Sequence, residues 1–469
     1  MNTLTLSFFE KHSIIAHQIN SYNDFIDYGA QRVIDSQKTI EPNVEGYKFI
    51  LGKIRFEKPI VIEADGSISE LYPRDARLRN ITYASPIYLE ITPVIDDVKR
   101  APKEVLIGWM PVMVKSKLCR LYGLTSKQLI EVGEDPNDPG GYFIINGSEK
   151  VLVGIEDLAP NKIVTSKEKE GKETMSKVFS TIKGFRAKCI VRRNQRGELF
   201  VAFPGSPKEL RLMLLLKALG LKPNEIVSRV QEKVVKNDFL VNLELEKTPA
   251  DSAFDELASR VAPNQPVVYQ RKRVDLLIDQ YLLPHIGSEK EDRINKAYYL
   301  IKMAERAVLL AYKKIKADDK DVYSNKRVKI SGALMEELFK YAFGFLVKDI
   351  AYQVERSQAR GKKLLLQAVV RPEVLTQRLK FSMATGNWIA GQTGVSQLLD
   401  RNNFAATLSN LRRVISPLSK KHTHFEARDL HGSHWGKLCP NESPEGPRHA
   451  LIKNFALMID ISREDMKKE

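Results

Sequence analysis

The sequence predicts a mixed α/β protein of several domains, of the α+β kind in which helical and strand-rich stretches follow one another in blocks. Three observations predict it. The chain has 469 residues, 43% of them hydrophobic, enough for about two to four hydrophobic cores rather than one. Its apolar pattern changes period along the chain, from helical to alternating and back. Turn signals separate the blocks, with no internal repeat and no low-complexity tract.

Residues 6–37 read as helix, because Phe8, Ile14, Ile15, Ile19, Phe25, Ile26, Val33 and Ile34 recur at helical spacing. From Gly46 the pattern becomes strand-like. KIRFEKPIVIEADGSISELYP alternates, and Asp65-Gly66 offers a hairpin turn. Residues 81–95, ITYASPIYLEITPVI, form a second run rich in β-branched and aromatic residues, where Pro86 and Pro93 point to edge positions or breaks. DPNDPGGYFIINGSEKVLVGIED, 135–157, is acidic and turn-rich. Its spacing does not match an EF-hand loop, and it reads as a turn followed by the strands YFII and KVLV around a type I′ Asn146-Gly147 turn.

After residue 160 the run TSKEKEGKETMSK reads as a boundary or exposed loop. Strands are expected near 189–191 and 199–203. Residues 208–316 look mostly helical, with turns at Pro223, Pro263 and Pro284. The clearest helix is 292–316, with Ile294, Tyr298, Ile301, Ala304, Val308 and Leu309 inward, and another runs over 332–356. From 381 to 453 come short helical pieces and long loops, which within a folded protein are usually functional.

The formal net charge is +16 with 28% charged residues. That surplus exceeds what solubility needs and favours a polyanionic partner, nucleic acid before an anionic membrane surface or an acidic protein. Cys119, Cys189 and Cys439 are far apart and include no CxxC pair, against a disulfide framework or a thiolate zinc site. This suits a cytoplasmic protein. The N-terminus meets charge too early for a signal peptide. The apolar run at 212–216 is broken by Lys217 and is too short to span a bilayer.

Phosphate-loop, GxGxxG, HExxH and GxSxG motifs are absent. Asp96-Asp97 and Asp318-Asp319 lack the Gly-bracketed pattern of a magnesium cluster and read as solvated acidic surface. Five of the eight His lie between His422 and His449. With Cys439 they offer an alternative, a stand-alone nucleic-acid-binding protein or metal-dependent nuclease. The competing reading is that these imidazoles orient loops. The same region carries Arg401, Arg412, Arg413, Lys420, Lys421, Arg428, Lys437, Arg448 and Lys453 among amides and hydroxyls. Such a platform suits phosphate and sugar contacts.

These residues resemble a known family. GVSQLLDRNNFAATLSNLRRVISPL, 394–418, looks like the fork region of the second-largest subunit of multisubunit RNA polymerases. RDLHGSHWGKLCPNESPEGPRHALIKNFAL, 428–457, resembles the segment that follows fork loop 2. FFEKHSIIAHQINSYNDFIDYGAQRVID, PRDARLRNITYASPIYLEI, GGYFIINGSEKVLV, DDKDVYSNKR and LKFSMATGNW are similar to further family segments, in family order. The resemblance covers essentially the whole chain.

It implies a protrusion over 1–165 and 331–381, a lobe over 166–330 inserted in it, a fork over 382–455, and a terminal strand and tail over 456–469. It implies the N-terminal half of a subunit that some archaea split into two chains, with HALIKNFALMIDI as a strand whose sheet neighbours largely lie on the other chain. It implies a positional role in template-directed RNA synthesis. No catalytic residue and no metal ligand is expected here. The Mg2+ ions of the assembled enzyme would be held by the largest subunit. The implied partners are the second-half chain, the largest and small polymerase subunits, template DNA and nascent RNA, with no membrane. The site expected near nucleic acid or NTP comprises Gln397, Arg401, Arg412, Arg413, Lys420, Lys421, Arg428, His431, Glu445 and Lys453. Residues 418–427 align with fork loop 2. Leu398, Asn410 and Ile415 depart from the bacterial rifamycin pocket.

Overall fold

In the computed structural model, residues 3, 7–9, 12–44, 46–168, 173–182, 185–361, 366–418 and 425–462 are described. The chain forms two compact units. Met1–Asp157 and Arg327–Glu469 make the first, and Leu158–Lys326 makes the second, inserted in it. The first strand of the second unit is Val164–Lys167. No described helix is long and apolar enough to cross a membrane.

The first unit opens with α1, Ala16–Asp24, and α2, Ala30–Gln37, joined by a π-helical turn, Phe25–Gly29. The helix expected over 6–37 is therefore interrupted, with residues 7–9 helical, a turn at 14–15 and helix again from Ala16, and it carries one wide turn. Its inward stripe is Tyr22, Phe25, Ala30, Val33 and Ile34. Three long strands follow, β1, Tyr47–Phe56, β2, Ala84–Ile95, and β3, Lys103–Pro111. β2 is central, antiparallel to β1 on one side and β3 on the other. It is not an edge strand, and its prolines sit where a neighbour is missing. Pairing with β1 ends at Phe56↔Ile87, one residue from Pro86. Pairing with β3 ends at Ile91↔Lys103, two residues before Pro93. A missing N–H is tolerated at such gaps.

β4, Phe143–Ile145, and β5, Ser148–Leu152, form the hairpin expected around Asn146-Gly147, both residues with positive φ (50° and 77°) as a type I′ turn demands. β6, Gly154–Leu158, carries the chain out of the first unit.

The second unit is an antiparallel ladder of β7, Val164–Lys167, β8, Thr174–Ile182, β9, Phe185–Arg193, β10, Leu199–Ala202, and β11, Leu210–Arg211. The two ends of the run read as a boundary or exposed loop, 165–167 and 174–177, are thus strand. The inner positions of β8 are Thr174, Ser176, Val178 and Ser180, mostly small and polar, so no apolar alternation shows in the sequence. Helices Leu212–Ala218, Pro223–Ser228, Lys233–Leu245, Ala253–Val261 and Val267–Leu276 follow, and α3, Arg293–Ala311, closes the core. α3 buries Ala297, Leu300, Ile301, Ala304 and Val308, whereas Ile294, expected inward, is exposed. Lys296 is fully buried and donates to the carbonyls of Ile278 (2.8 Å) and Asp279 (2.9 Å).

β12, Lys326–Lys329, leads back to α4, Ser331–Ala359, the longest described helix, and α5, Pro372–Thr385. Leu334, Leu338, Phe339, Phe343 and Leu346 of α4 fill the core against α1, α2 and the β1–β3 sheet. Gly332 permits this. A Cβ there would lie 1.9 Å from the Ser21 carbonyl oxygen, so α1 and α4 approach only over a glycine. β13, Ser396–Leu398, extends the β4–β5 hairpin, and α6, Phe404–Leu411, leads into β14, Arg413–Ile415. β15, Ile452–Asn454, completes a four-stranded sheet in the order β12-β6-β14-β15. The terminal apolar segment is therefore a strand of three residues, and its paired neighbour is β14 of this chain.

Candidate nucleic-acid interface

The stretch 394–458 is tied into the first unit at both ends. β13 pairs with β5, with Gln397 opposite Val151. β14 lies parallel to β6, with Val414 opposite Gly154, and antiparallel to β15. Gln18 of α1, fully buried, joins three segments. Its Nε2 donates to the carbonyls of Leu152 and Leu411 (both 3.3 Å), and its Oε1 accepts from Ser331 N–H (3.2 Å). These bonds link the first helix, β5, α6 and the start of α4.

Several cations of the expected site turn inward. Arg412 is buried, and its guanidinium donates to the carbonyls of Ile14, Ala456, Phe455 (3.4 Å) and Leu457 (3.2 Å). Burial lowers its pKa from the ordinary value. Lys453 Nζ lies 2.8 Å from Glu156 Oε1, and both side chains are more than nine-tenths buried. Ser416 Oγ donates to the same carboxylate. Arg401 is gripped by Glu149 (2.6 and 3.0 Å) and Asp138 (2.8 Å) and lies 4.8 Å above the Tyr142 ring. Arg412, Lys453 and Arg401 were expected to meet nucleic acid on the strength of their charge. Within this chain that charge is engaged by backbone carbonyls and carboxylates, by Arg412 and Lys453 from buried positions and by Arg401 from an exposed one.

The outward positions are fewer. Arg413 is half-buried and lines a cleft of about 560 Å³ with Asn441, Glu442, Pro444 and Arg448. Ser409 Oγ donates to Glu442 Oε1 (2.5 Å) and accepts from Asn454 Nδ2 (3.0 Å), which fixes the cleft's polar wall. Gln397 is half-buried, its Nε2 donating to the Gly394 carbonyl (3.0 Å). Arg428 spans to the turn after it, Nη1 donating to the carbonyls of Pro447 (3.1 Å) and His449 (2.8 Å). Glu445, at the head of that turn, is exposed. His431 Nδ1 accepts from Ser433 N–H (3.0 Å), which caps a short 3₁₀ turn and assigns any neutral-ring proton to Nε2. Lys420, Lys421, His422 and His424 lie outside the described residues.

Sequence reasoning missed two features. Glu149, Asp138 and Tyr142 receive Arg401 from far away in the chain, with no local signal. Phe425, Leu430 and Trp435 stand 81%, 65% and 92% exposed. A solvent-facing Trp in a Gly- and Pro-rich run was the available signal for these exposed side chains.

The chain matches the family described as RNA polymerase beta subunit over residues 13–377, and that described as RNA polymerase Rpb2, domain 3, over residues 397–461. The chain belongs to the RNA polymerase beta-subunit family. It is 48% identical to DNA-directed RNA polymerase subunit Rpo2N of Methanocaldococcus jannaschii, over 99% of this chain and 96% of that one. It is 46% identical to Rpo2N of Halobacterium salinarum, over 99% and 94%. It is 44% identical to Rpo2 of Saccharolobus solfataricus, over 97% of this chain and 41% of that longer protein. The polymerase subunit is thus of the archaeal Rpo2N type, with the mixed α+β, multidomain fold expected. It acts as part of a nucleotidyltransferase. The alternative reading as a stand-alone nuclease finds no support in these relatives. In the subunit's described residues, no group of three or more His, Cys, Asp or Glu side chains is placed to hold a metal ion.

Proposed function

We propose that this subunit holds DNA, RNA and incoming nucleotide in register and leaves the chemistry to other chains. The observation that carries this reading is the anchoring of 394–458. Arg412, the Lys453–Glu156 pair and Gln18 lock the stretch to α1 and β6, and its loops and cleft are displayed from that base. Holding reactants in fixed geometry removes much of the entropic cost of a bimolecular step. The described donor set does not fit a catalytic Mg2+ centre, so we assign that centre to the largest subunit, and we assign the second-half chain to exposed Phe425, Leu430 and Trp435. In this reading the second unit is the lobe, the 382–455 stretch is the fork, 456–469 is the terminal strand and tail, and the rest of the first unit is the protrusion. Arg413, Arg428 and Glu445 are the described residues assigned to the nucleic-acid side.

Reconstitution tests it. The chain alone is expected to be polydisperse and inactive, and to become monodisperse and active in RNA synthesis when the second-half chain and the remaining subunits are added. A monodisperse, transcribing single chain would overturn the reading. So would a stoichiometric metal ion retained by chelator-washed chain and lost in His431→Ala.

A further inference from the structure

The 399–403 loop joins β13 to α6 and faces outward. Leu398 and Phe404 at its two ends are 65% and 59% exposed, and Asn402 and Asn403 are exposed between them. β13 ties one end to β5. Asn403 ties the other by capping α6 through the Ala406 N–H (2.8 Å). From Asp400 to Asn403, among the described residues, only Arg401 hydrogen-bonds outside the 394–458 stretch. Its Nε donates to Glu149 Oε2 (2.6 Å), and its Nη2 donates to Glu149 Oε1 (3.0 Å) and Asp138 Oδ2 (2.8 Å). Those partners are themselves held. Tyr142, fully buried beneath the guanidinium, donates to Asp138 Oδ2 (3.1 Å), and Asp138 Oδ1 accepts from the Gly140 N–H (2.7 Å). Arg77, in the helix Pro73–Leu78, donates to the Tyr142 hydroxyl (3.2 Å), to Glu149 (3.3 Å) and to buried Glu134.

We propose that Glu149, Asp138 and Arg77 are positioning residues, which act through Arg401 to hold the 399–403 loop in the one conformation that meets nucleic acid. The proposal rests on the reading of the 394–458 stretch as the side that holds nucleic acid. A guanidinium shared between two carboxylates has no surplus charge to offer a phosphate. What the network supplies is geometry. A bidentate pair fixes the plane of the guanidinium, and the ring beneath it fixes its height. The loop is thereby ordered before anything binds. A loop that must order on binding loses affinity in proportion to the freedom it gives up. Glu149 also stands on β5, the strand that pairs with β13, and its carbonyl accepts from the Leu399 N–H (3.0 Å). The same residue thus sets the loop's first backbone bond and its side-chain anchor.

The test uses the reconstituted polymerase and a preassembled RNA–DNA scaffold, with affinity measured between about 50 and 200 mM salt. Glu149→Gln and Arg401→Gln should each weaken binding about 10-fold, with the slope of log K against log salt unchanged. Glu149→Gln/Arg401→Gln should bind no more weakly than either single variant, because the two act through one contact. Arg401→Lys, which keeps the charge and loses the planar fork, should fall with Arg401→Gln. Arg79→Gln, which breaks a bidentate pair with Glu63 in the same unit, should match the unsubstituted enzyme. A phosphate ligand would behave differently. Arg401→Gln would then lower the slope by about 0.7–0.9, and Glu149→Gln, by freeing the guanidinium, would tighten binding. Either result overturns the proposal. So do additive losses in the double variant, full activity of Arg401→Lys, a Glu149→Gln enzyme that behaves like Arg79→Gln, or loss of a subunit from the Glu149→Gln enzyme. Arg413→Gln separates this outcome from failure of the reading beneath it. If Arg413→Gln weakens binding and Glu149→Gln does not, the positioning network alone is wrong. If neither weakens it, the 394–458 stretch is not the nucleic-acid side.

Discussion

The two mixed regions of this molecule use their cations in opposite ways. In the four-stranded sheet of the first unit, Lys453 and Arg412 point inward onto Glu156 and a row of carbonyls. In the five-stranded sheet of the second unit, Arg186 and Lys188 stand on the solvent face. A basic count reads the same in both places. What differs is burial, and burial decides whether a cation can reach a polyanion.

The largest test of this contrast is the buried pair. Lys453→Ala leaves Glu156 buried without its cation, and should cost about 3–5 kcal/mol, read as a fall in the melting temperature of the co-expressed subunit. Replacing both partners, Glu156→Gln with Lys453→Met, should restore most of it. A near-neutral Lys453→Ala would mean the inward cations are not structural.

Arg428→Ala comes next. It removes the donor that holds the 446–449 turn behind Glu445. Losing charge-assisted bonds costs about 1.5–3 kcal/mol, or roughly 10- to 150-fold, at the step that uses that turn. The loss should appear in nucleotide addition or fidelity on a preassembled scaffold, with subunit assembly intact. Rates and misincorporation equal to those of Lys167→Ala would reduce Arg428 to a solvated charge.

His17 sharpens the inward side. Burial, then the charge of Arg412, lowers its pKa from 6.5 to about 3, and its ring packs edge-on against Phe455 at 5.1 Å. Folded His17 is therefore neutral at pH 5, while the unfolded residue binds a proton. Its contribution to stability is present above pH 6.5 and is lost as pH falls toward 3, by about 2 kcal/mol between pH 7 and 5. His17→Gln should flatten the pH dependence of melting over that window by this amount, and an unchanged profile would contradict the assignment. The smallest effect belongs to the outward side. Lys188→Ala should shift stability by less than about 0.5 kcal/mol, and a larger drop would place Lys188 in an internal network.

Local chemistry made part of the fold legible. Asn146-Gly147 announces its hairpin because only such residues take left-handed backbone cheaply. The long α4 shows its period because nearly every inward position is large and apolar. β8 was hidden because its inner face is Thr, Ser, Val and Ser. Pro86 and Pro93 argued against a central strand, and only the tertiary pairing reveals the gaps they occupy. At the candidate site, residue types and family likeness located the segment but not the direction of its side chains. Arg412 meets a carbonyl 398 positions away and Lys453 a carboxylate 297 positions away, partners that no window of sequence contains.

The inserted unit also sets a timetable. β6 and β12 leave and re-enter the first unit as neighbours in one sheet, with roughly 170 residues from Leu158 to Lys326 between them. At about 5–20 residues per second a ribosome needs about 8–34 s to make that stretch. Throughout it, α1, α2 and the β1–β3 sheet exist without α4, whose Leu338, Phe339 and Phe343 close their core. The inserted unit, contiguous in sequence, can fold as it emerges. The first unit must wait, half made, with an apolar sheet face uncovered. Nascent-chain holdases should therefore dwell on this polypeptide longest before α4 leaves the ribosome.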